Sequence, residues 1–187
     1  MRVIAGSAKG ARLGPVPAGT RPLSDRAREG LFASLGDRVE GARCLDLFAG
    51  TGAIGIEALS RGAVVCTFVD RAPEAAKAIR ANLDRVALAD RAAVHRADVA
   101  RFVRRGPATD PRCDLVFLDP PYQLEGPDLE GILGGLDASW LPRAGWTVVL
   151  TRGQKGSLPA VPLHWAVARQ LRYGDSLLTL YREVGWA

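Results

Sequence analysis

The chain has 187 residues, 48% of them hydrophobic and 24% charged, and a net charge of +5. That composition excludes a disordered or collagen-like chain and suits one domain with a sizeable core. No run approaches the ~18 apolar residues of a membrane span, and Met1-Arg2-Val3-Ile4-Ala5-Gly6 opens no signal-peptide stretch, so a cytoplasmic protein is expected.

Residues 2–17 hold two short extended segments around the turn Gly6-Ser7-Ala8-Lys9-Gly10. Pro15, Pro17 and Pro22 then keep the chain out of helix. Ser24 is placed to cap a helix over Asp25–Leu35, with Ala27, Leu31, Phe32 and Leu35 as its apolar stripe and Gly36 as its stop. Residues 1–40 therefore read as an extension ahead of a main fold over 41–187, the whole forming a single domain.

The main fold opens with a strand at Cys44–Leu47, a glycine turn, and a helix through Ile54–Ser60. A second strand, Val64–Val69, ends at Asp70, and Pro73 opens a long Ala-rich helix to about Val86. A third strand at Ala92–His95 is followed by Asp98 and a helix to Arg105, stopped by Gly106-Pro107. The fourth strand, Asp114–Leu118, runs straight into Asp119-Pro120-Pro121-Tyr122. A glycine-weakened helix over Asp128–Leu136 and a fifth strand at Trp146–Leu150 come next. Leu163–Tyr173 and Ser176–Glu183 flank Gly174-Asp175, a two-residue hairpin turn. Strands alternating with helices predict a mostly parallel, doubly wound, Rossmann-like α/β sheet of seven strands, closed by an antiparallel C-terminal hairpin.

The positive charge is uneven. Residues 1–43 hold eight Lys/Arg against four Asp/Glu, so +4 of the +5 lies there. Before Asp25 stand Arg2, Lys9, Arg12 and Arg21, with no acid among them. A basic arm on a nearly neutral body suits a phosphate-bearing partner such as RNA. The plain alternative is a solvated arginine-rich terminus, since 22 of the 25 cationic residues are Arg. Cys44, Cys66 and Cys113 are widely spaced, lie in or beside predicted strands, and read as buried thiols. His95 and His164 are the only histidines, so no metal set is expected.

Gly50-Thr51-Gly52-Ala53-Ile54-Gly55 matches G-x-G-x-x-G between a strand and a helix, and so points to a nucleoside cofactor. A dinucleotide would place its pyrophosphate on the helix N-terminus. Asp46, four residues before Gly50, would repel it but would attract the cationic amino acid end of S-adenosylmethionine. Its plain alternative is a strand-end cap. Asp70, twenty residues after Gly50, is placed to accept both ribose hydroxyls, and Asp98 to accept the adenine amino group or to cap the next helix.

Asp119-Pro120-Pro121-Tyr122 is the sharpest signal. A base amine is a poor nucleophile because its lone pair is delocalised into the ring. The Asp119 side chain and the Pro120 carbonyl can each accept one amine hydrogen, which favours a pyramidal nitrogen with its lone pair aimed at a methyl donor. Tyr122 can stack on a base turned out of its helix. With the glycine turn, the motif predicts methyl transfer from S-adenosylmethionine to a base nitrogen.

These residues, with Met1–Gly6, Arg21-Pro22-Leu23-Ser24-Asp25-Arg26-Ala27-Arg28-Glu29-Gly30-Leu31-Phe32, Asp46–Gly52, Glu57–Gly62, Phe68–Asp70 and Tyr173-Gly174-Asp175, give the chain a resemblance over nearly its whole length. It resembles the bacterial guanine-N2 methyltransferases of 16S ribosomal RNA, which act on the small subunit at the guanine called position 966. Leu23, Gly30 and Ser176 depart mildly from that family's usual residues. The resemblance implies a monomer that binds S-adenosylmethionine through Asp46, Phe48, Gly50, Gly52, Asp70, Arg71, Asp98 and Asp119. It implies that Asp119, Pro120 and Tyr122 handle the guanine. It gives Arg21, Ser24 and Arg28 a part in closing over the cofactor or guiding RNA. An adenine-N6 methyltransferase is the nearest rival, but only about two dozen residues separate Tyr122 from the fifth strand, little for a target-recognition region. A dehydrogenase would need a hydride-handling residue, and a non-catalytic RNA binder would not need Asp46 or Asp-Pro-Pro-Tyr.

Overall fold

The computed structural model describes residues 1–15, 22–107, 112–121, 123–154 and 157–185. Five short apolar runs form parallel strands: β1 (Arg43–Leu47), β2 (Val65–Asp70), β3 (Ala92–Arg96), β4 (Leu115–Leu118) and β5 (Thr147–Gly153). The last two strands, β6 (Trp165–Tyr173) and β7 (Ser176–Glu183), are antiparallel. The order across the sheet is β3-β2-β1-β4-β5-β7-β6. Its direction of winding reverses between β1 and β4, and ligands of such sheets bind outside the carboxyl ends of the strands at that reversal.

Helices cover both faces. On one lie α1 (Asp25–Leu35), α2 (Ala53–Ser60) and α3 (Pro73–Arg85), packed through Leu31, Ile56, Leu59 and Ile79 onto Phe68, Phe117 and Leu180. On the other lie α4 (Val99–Arg105) and α5 (Gly126–Ser139), packed through Val103, Leu133 and Leu136 onto Leu45, Val116 and Val148. Strand boundaries lie within about three residues of the sequence expectation. Helix α5 starts earlier and ends later than expected, and one of its glycines serves packing. A Cβ on Gly135 would lie 2.8 Å from Val103 Cγ1, so glycine lets α5 approach α4 closely.

The predicted N-terminal hairpin is one antiparallel bridge, Arg2 with Arg12, around the Gly6–Gly10 turn. Buried polar groups seat it on the main fold. Glu57 of α2, fully buried, accepts the N–H groups of Ile4 at 2.8 Å and Ala5 at 3.0 Å. Ser60 accepts the Ala8 N–H at 3.0 Å and donates to the Ala5 carbonyl at 2.6 Å. Asn82 of α3 accepts the Gly14 N–H at 2.7 Å. Ser24 caps α1 as predicted, its hydroxyl accepting the Ala27 N–H at 3.1 Å. The three cysteines are buried and free; burial pushes the Cys113 thiol up to about 12, leaving it inert. Among the described residues, no helix is long and apolar enough to cross a membrane.

Candidate active site

The chain leaves β1 through a tight loop that needs three left-handed residues: Phe48 at φ 59°, Gly50 at 56° and Gly52 at 75°. Glycine adopts that region freely, whereas Phe48 is held there at a cost. The loop is fixed from three sides. The Ala49 N–H donates to the Val69 carbonyl at 3.2 Å, Gly50 N–H to Asp70 Oδ2 at 2.9 Å, and Asn82 Nδ2 to the Thr51 carbonyl at 3.0 Å. Asn82 thereby joins the loop to the N-terminal arm, since its other amide atom holds Gly14.

A cavity of about 470 Å³ lies over this loop, at the reversal between β1 and β4. Asp46, Phe48, Gly50, Asp70, Arg71, Asp98, Asp119 and Pro120 all line it, so the structure gathers in one place most of the residues singled out for cofactor and amine. Gly52 does not line it. It shapes the turn instead, and a Cβ there would press on Ile79 and Phe68 at 3.2–3.3 Å. Tyr122 and Arg21 lie outside the described residues.

Each acid is oriented by backbone. Asp46 is buried, and its Oδ2 accepts the Gly55 N–H at 3.0 Å, so the strand-end carboxylate also steadies the start of α2. Burial raises its pKa well above the usual range, and the nearby Asp119 and Asp70 add to the rise. Asp70 accepts Gly50 N–H on one oxygen and Ala72 N–H on the other, both at 2.9 Å. Asp98 caps α4 by accepting the Arg101 N–H at 2.9 Å while still lining the cavity. A carboxylate has about four acceptor sites, so these bonds orient Asp70 and Asp98 without saturating them. Four acids against Arg28 and Arg71 suit a cationic, phosphate-free nucleoside far better than a pyrophosphate.

Asp119 stands at the opposite lip, one residue beyond β4, its N–H donating to the Leu47 carbonyl at 3.4 Å. Burial pushes its carboxyl up to about 7. Support for the motif comes from distant residues. The Leu124 N–H donates to the Pro121 carbonyl at 2.9 Å, and Arg152 of β5 donates at 2.6 Å to both the Leu124 carbonyl and Glu125 Oε1. Arg152 thus clamps the loop that follows Asp-Pro-Pro-Tyr. Sequence reading missed it, although an arginine ending an apolar strand is an available signal for a buried partner.

The cationic residues separate into two groups. Arg2, Lys9 and Arg12 are exposed on the arm, with Arg2 3.7 Å from Asp25. Arg28, read from the sequence as closing over the cofactor or guiding RNA, is placed on the cavity wall. Its guanidinium is fully buried, donating to the Arg2 carbonyl and to Asp25 Oδ1, both at 2.7 Å, and lying 3.8 Å from Glu57 Oε2. A charge enclosed this way binds the extension to the main fold at the wall of the cavity. The chain also places Pro22, Leu23, Ile54, Gln123 and Leu124 on the cavity wall, none of them marked by chemistry in the sequence.

A glycine turn after the first strand, a row of strand-end acids and a seven-stranded sheet with an antiparallel final pair define the Rossmann-like methyltransferase fold. The chain belongs to the family described as Conserved hypothetical protein 95, whose profile matches residues 1–182. Ribosomal RNA small subunit methyltransferase D of Escherichia coli K12 is 33% identical, over 98% of this chain and 90% of its own length. The methyltransferase of the same name in Haemophilus influenzae is 32% identical, over 98% and 94%. The solved structure of Escherichia coli yhhF superposes with a TM-score of 0.85 at 32% identity, covering 98% of this chain and 97% of that one.

Proposed function

We propose that this chain transfers a methyl group from S-adenosylmethionine to the exocyclic N2 amine of a guanine in 16S ribosomal RNA of the small subunit. The observation that carries this reading is one cavity lined both by Asp119-Pro120 and by the acid-rich glycine turn. The names of the Escherichia coli and Haemophilus influenzae relatives support ribosomal RNA as the substrate. The reading takes the protein as a cytoplasmic monomer, one domain with an N-terminal extension.

The donor set fits S-adenosylmethionine. Asp46 faces its cationic amino acid end, Phe48 and Gly50 shape the loop beneath it, Asp70 accepts from the ribose hydroxyls, and Asp98 and Arg71 border the adenine. When bound, this donor supplies an electrophilic methyl group on a cationic sulfonium. The rest is positioning. Asp119 as carboxylate and the Pro120 carbonyl accept the two amine hydrogens, which turns the nitrogen lone pair out of conjugation. The prolines keep that turn rigid, and Arg152 holds the segment beyond it. Tyr122 stacks on the base once it leaves its helix or loop. Released protons pass to solvent or to Asp119, whose carboxyl titrates near neutrality.

The test is incubation of the protein with labelled S-adenosylmethionine and unmodified small-subunit RNA, free or in assembled subunits, followed by nucleoside analysis. N2-methylguanosine is expected. Methyl on adenine N6 would overturn the guanine assignment, and no incorporation into either substrate would overturn the reading itself.

A further inference from the structure

A second groove, of about 360 Å³, adjoins the cavity just described, with Pro22 on the wall of both. Its other lining residues include Ser24 and Arg26 at the start of α1, and Arg172, Tyr173 and Asp175 at the β6–β7 hairpin. The hairpin overhangs the catalytic side of the sheet. Leu118, the residue before Asp119, pairs with Leu150, while Ser176 pairs with Gly153, three residues further along β5. At about 3.3 Å per residue the hairpin turn projects about 10 Å beyond the strand ends that carry the acids.

The charges here are available. Arg26 and Arg172 are exposed, and neither pairs with an acid among the described residues. Asp175, the acid on this wall, has a partner of its own. Tyr173 is wedged against α1: a Cβ on Gly30 would fall 1.7 Å from its hydroxyl, so only glycine leaves room for the ring. The groove therefore has one wall fixed by packing and two exposed guanidinium groups, and it shares Pro22 with the cavity that holds Asp119. Guanidinium groups match phosphate in geometry and charge.

We propose that this groove holds the sugar-phosphate backbone of the RNA strand flanking the target nucleotide, with Arg26 and Arg172 each engaging a phosphate. The proposal rests on the reading of the protein as a ribosomal RNA methyltransferase, and shifts the main RNA contact from the N-terminal arm to the α1–hairpin groove.

The experiment compares the full chain with Arg26→Gln/Arg172→Gln and with Arg104→Gln/Arg105→Gln. The second pair sits exposed in the last turn of α4, on the opposite face of the sheet, and removes the same charge. Binding of unmodified small-subunit RNA is measured across a salt series, and S-adenosylmethionine binding by calorimetry. The groove variant should bind RNA more weakly, with a slope of log K against log salt flatter by about 1.4, the value for two lost single-strand phosphate contacts. Its cofactor affinity should equal that of the parent, and the α4 variant should keep the parental slope. A parental slope in the groove variant, or equal flattening in both, overturns the groove. A parent that neither binds nor methylates the RNA overturns the reading on which the groove rests.

Discussion

The catalytic edge and the N-terminal extension use charge in opposite ways. At the edge, Asp46, Asp70, Asp98 and Asp119 share one cavity with few cations, and burial raises Asp46 and Asp119. Where the extension meets α2, Arg28 and Glu57 are both fully buried, and their charges meet each other, Asp25, Arg61 and backbone groups. The first region lines a cavity with its acids, and the second spends its charges on holding a segment in place. Net charge counted along a chain therefore does not measure the charge offered to a partner. Of the five cationic residues assigned to RNA by sequence, Arg28 is closed off and Arg2 leans on Asp25.

The largest effect that would break this comparison is on stability, in the extension. Glu57→Ala takes from Arg28 its fully buried counter-charge, leaving only the half-exposed Asp25, and strips acceptors from the Ile4 and Ala5 N–H groups. Unfolding in denaturant should show a loss of about 3–5 kcal/mol. A double Arg28→Met/Glu57→Met variant should recover much of it, because apolar groups carry no desolvation cost. If Glu57→Ala unfolds at the parental midpoint, the pair is not what seats the arm.

At the catalytic edge, Asp119→Ala should slow single-turnover methylation by about 100-fold or more, with cofactor affinity little changed. In the proposed reaction Asp119 touches the reacting amine, so its loss is felt most as the nitrogen pyramidalises. Near-parental rates would remove it from the chemistry. Asp70→Ala acts in the reverse sense. It should weaken S-adenosylmethionine by roughly 1–3 kcal/mol through a lost charge-assisted acceptor. It also releases Gly50 and Ala72, so circular dichroism should accompany the calorimetry. Unchanged affinity in a folded Asp70 variant would take it out of the site.

Residues whose place is set by local position were legible in the sequence. Asp46, Asp70, Asp98 and Asp119 each follow or end an apolar run, and in a doubly wound sheet that position alone places them on the ligand edge. The mostly parallel sheet and its antiparallel final hairpin were implied by the alternation of strands and helices and by the Gly174-Asp175 turn, whereas the order of the strands was not. What remained hidden depends on partners far apart in sequence. Arg152 reaches Leu124 and Glu125, Asn82 reaches Gly14 and Thr51, and Gly30 makes room for Tyr173. One of these left a trace, as did the buried Glu57. Asn82 interrupts the buried stripe Ala75, Ala76, Ile79, Leu83 of α3, and Glu57 interrupts the apolar face of α2. A polar residue on a core-facing stripe signals a buried partner without saying which.

The smallest predicted effect sharpens the comparison most, because it reads the state of a single edge carboxyl. Burial pushes Asp119 up to about 7, far above the ordinary 3.8. Its carboxylate is the form that accepts an amine hydrogen, since a protonated carboxyl turns one oxygen into a donor. Single-turnover rate at saturating cofactor should therefore rise with pH through about 7 and level off above it. Between pH 6 and pH 8 the ionised fraction grows about tenfold, and the rate should follow. Stability should move the other way. A carboxyl whose folded pKa is raised stabilises the fold fully below 3.8, and that contribution is lost as pH rises through about 7. Asp119→Asn cannot titrate. Its rate should be low and flat across this range, while its stability relative to the parent should grow from pH 4 to pH 8. A bound cation lowers the carboxyl's pKa, so the rate midpoint in the presence of S-adenosylmethionine should lie at or below that of the free protein. A parental profile with no inflection between pH 5 and pH 8, or the same inflection in Asp119→Asn, would assign the titration elsewhere and leave the catalytic edge no different in kind from the closed cluster beneath the arm.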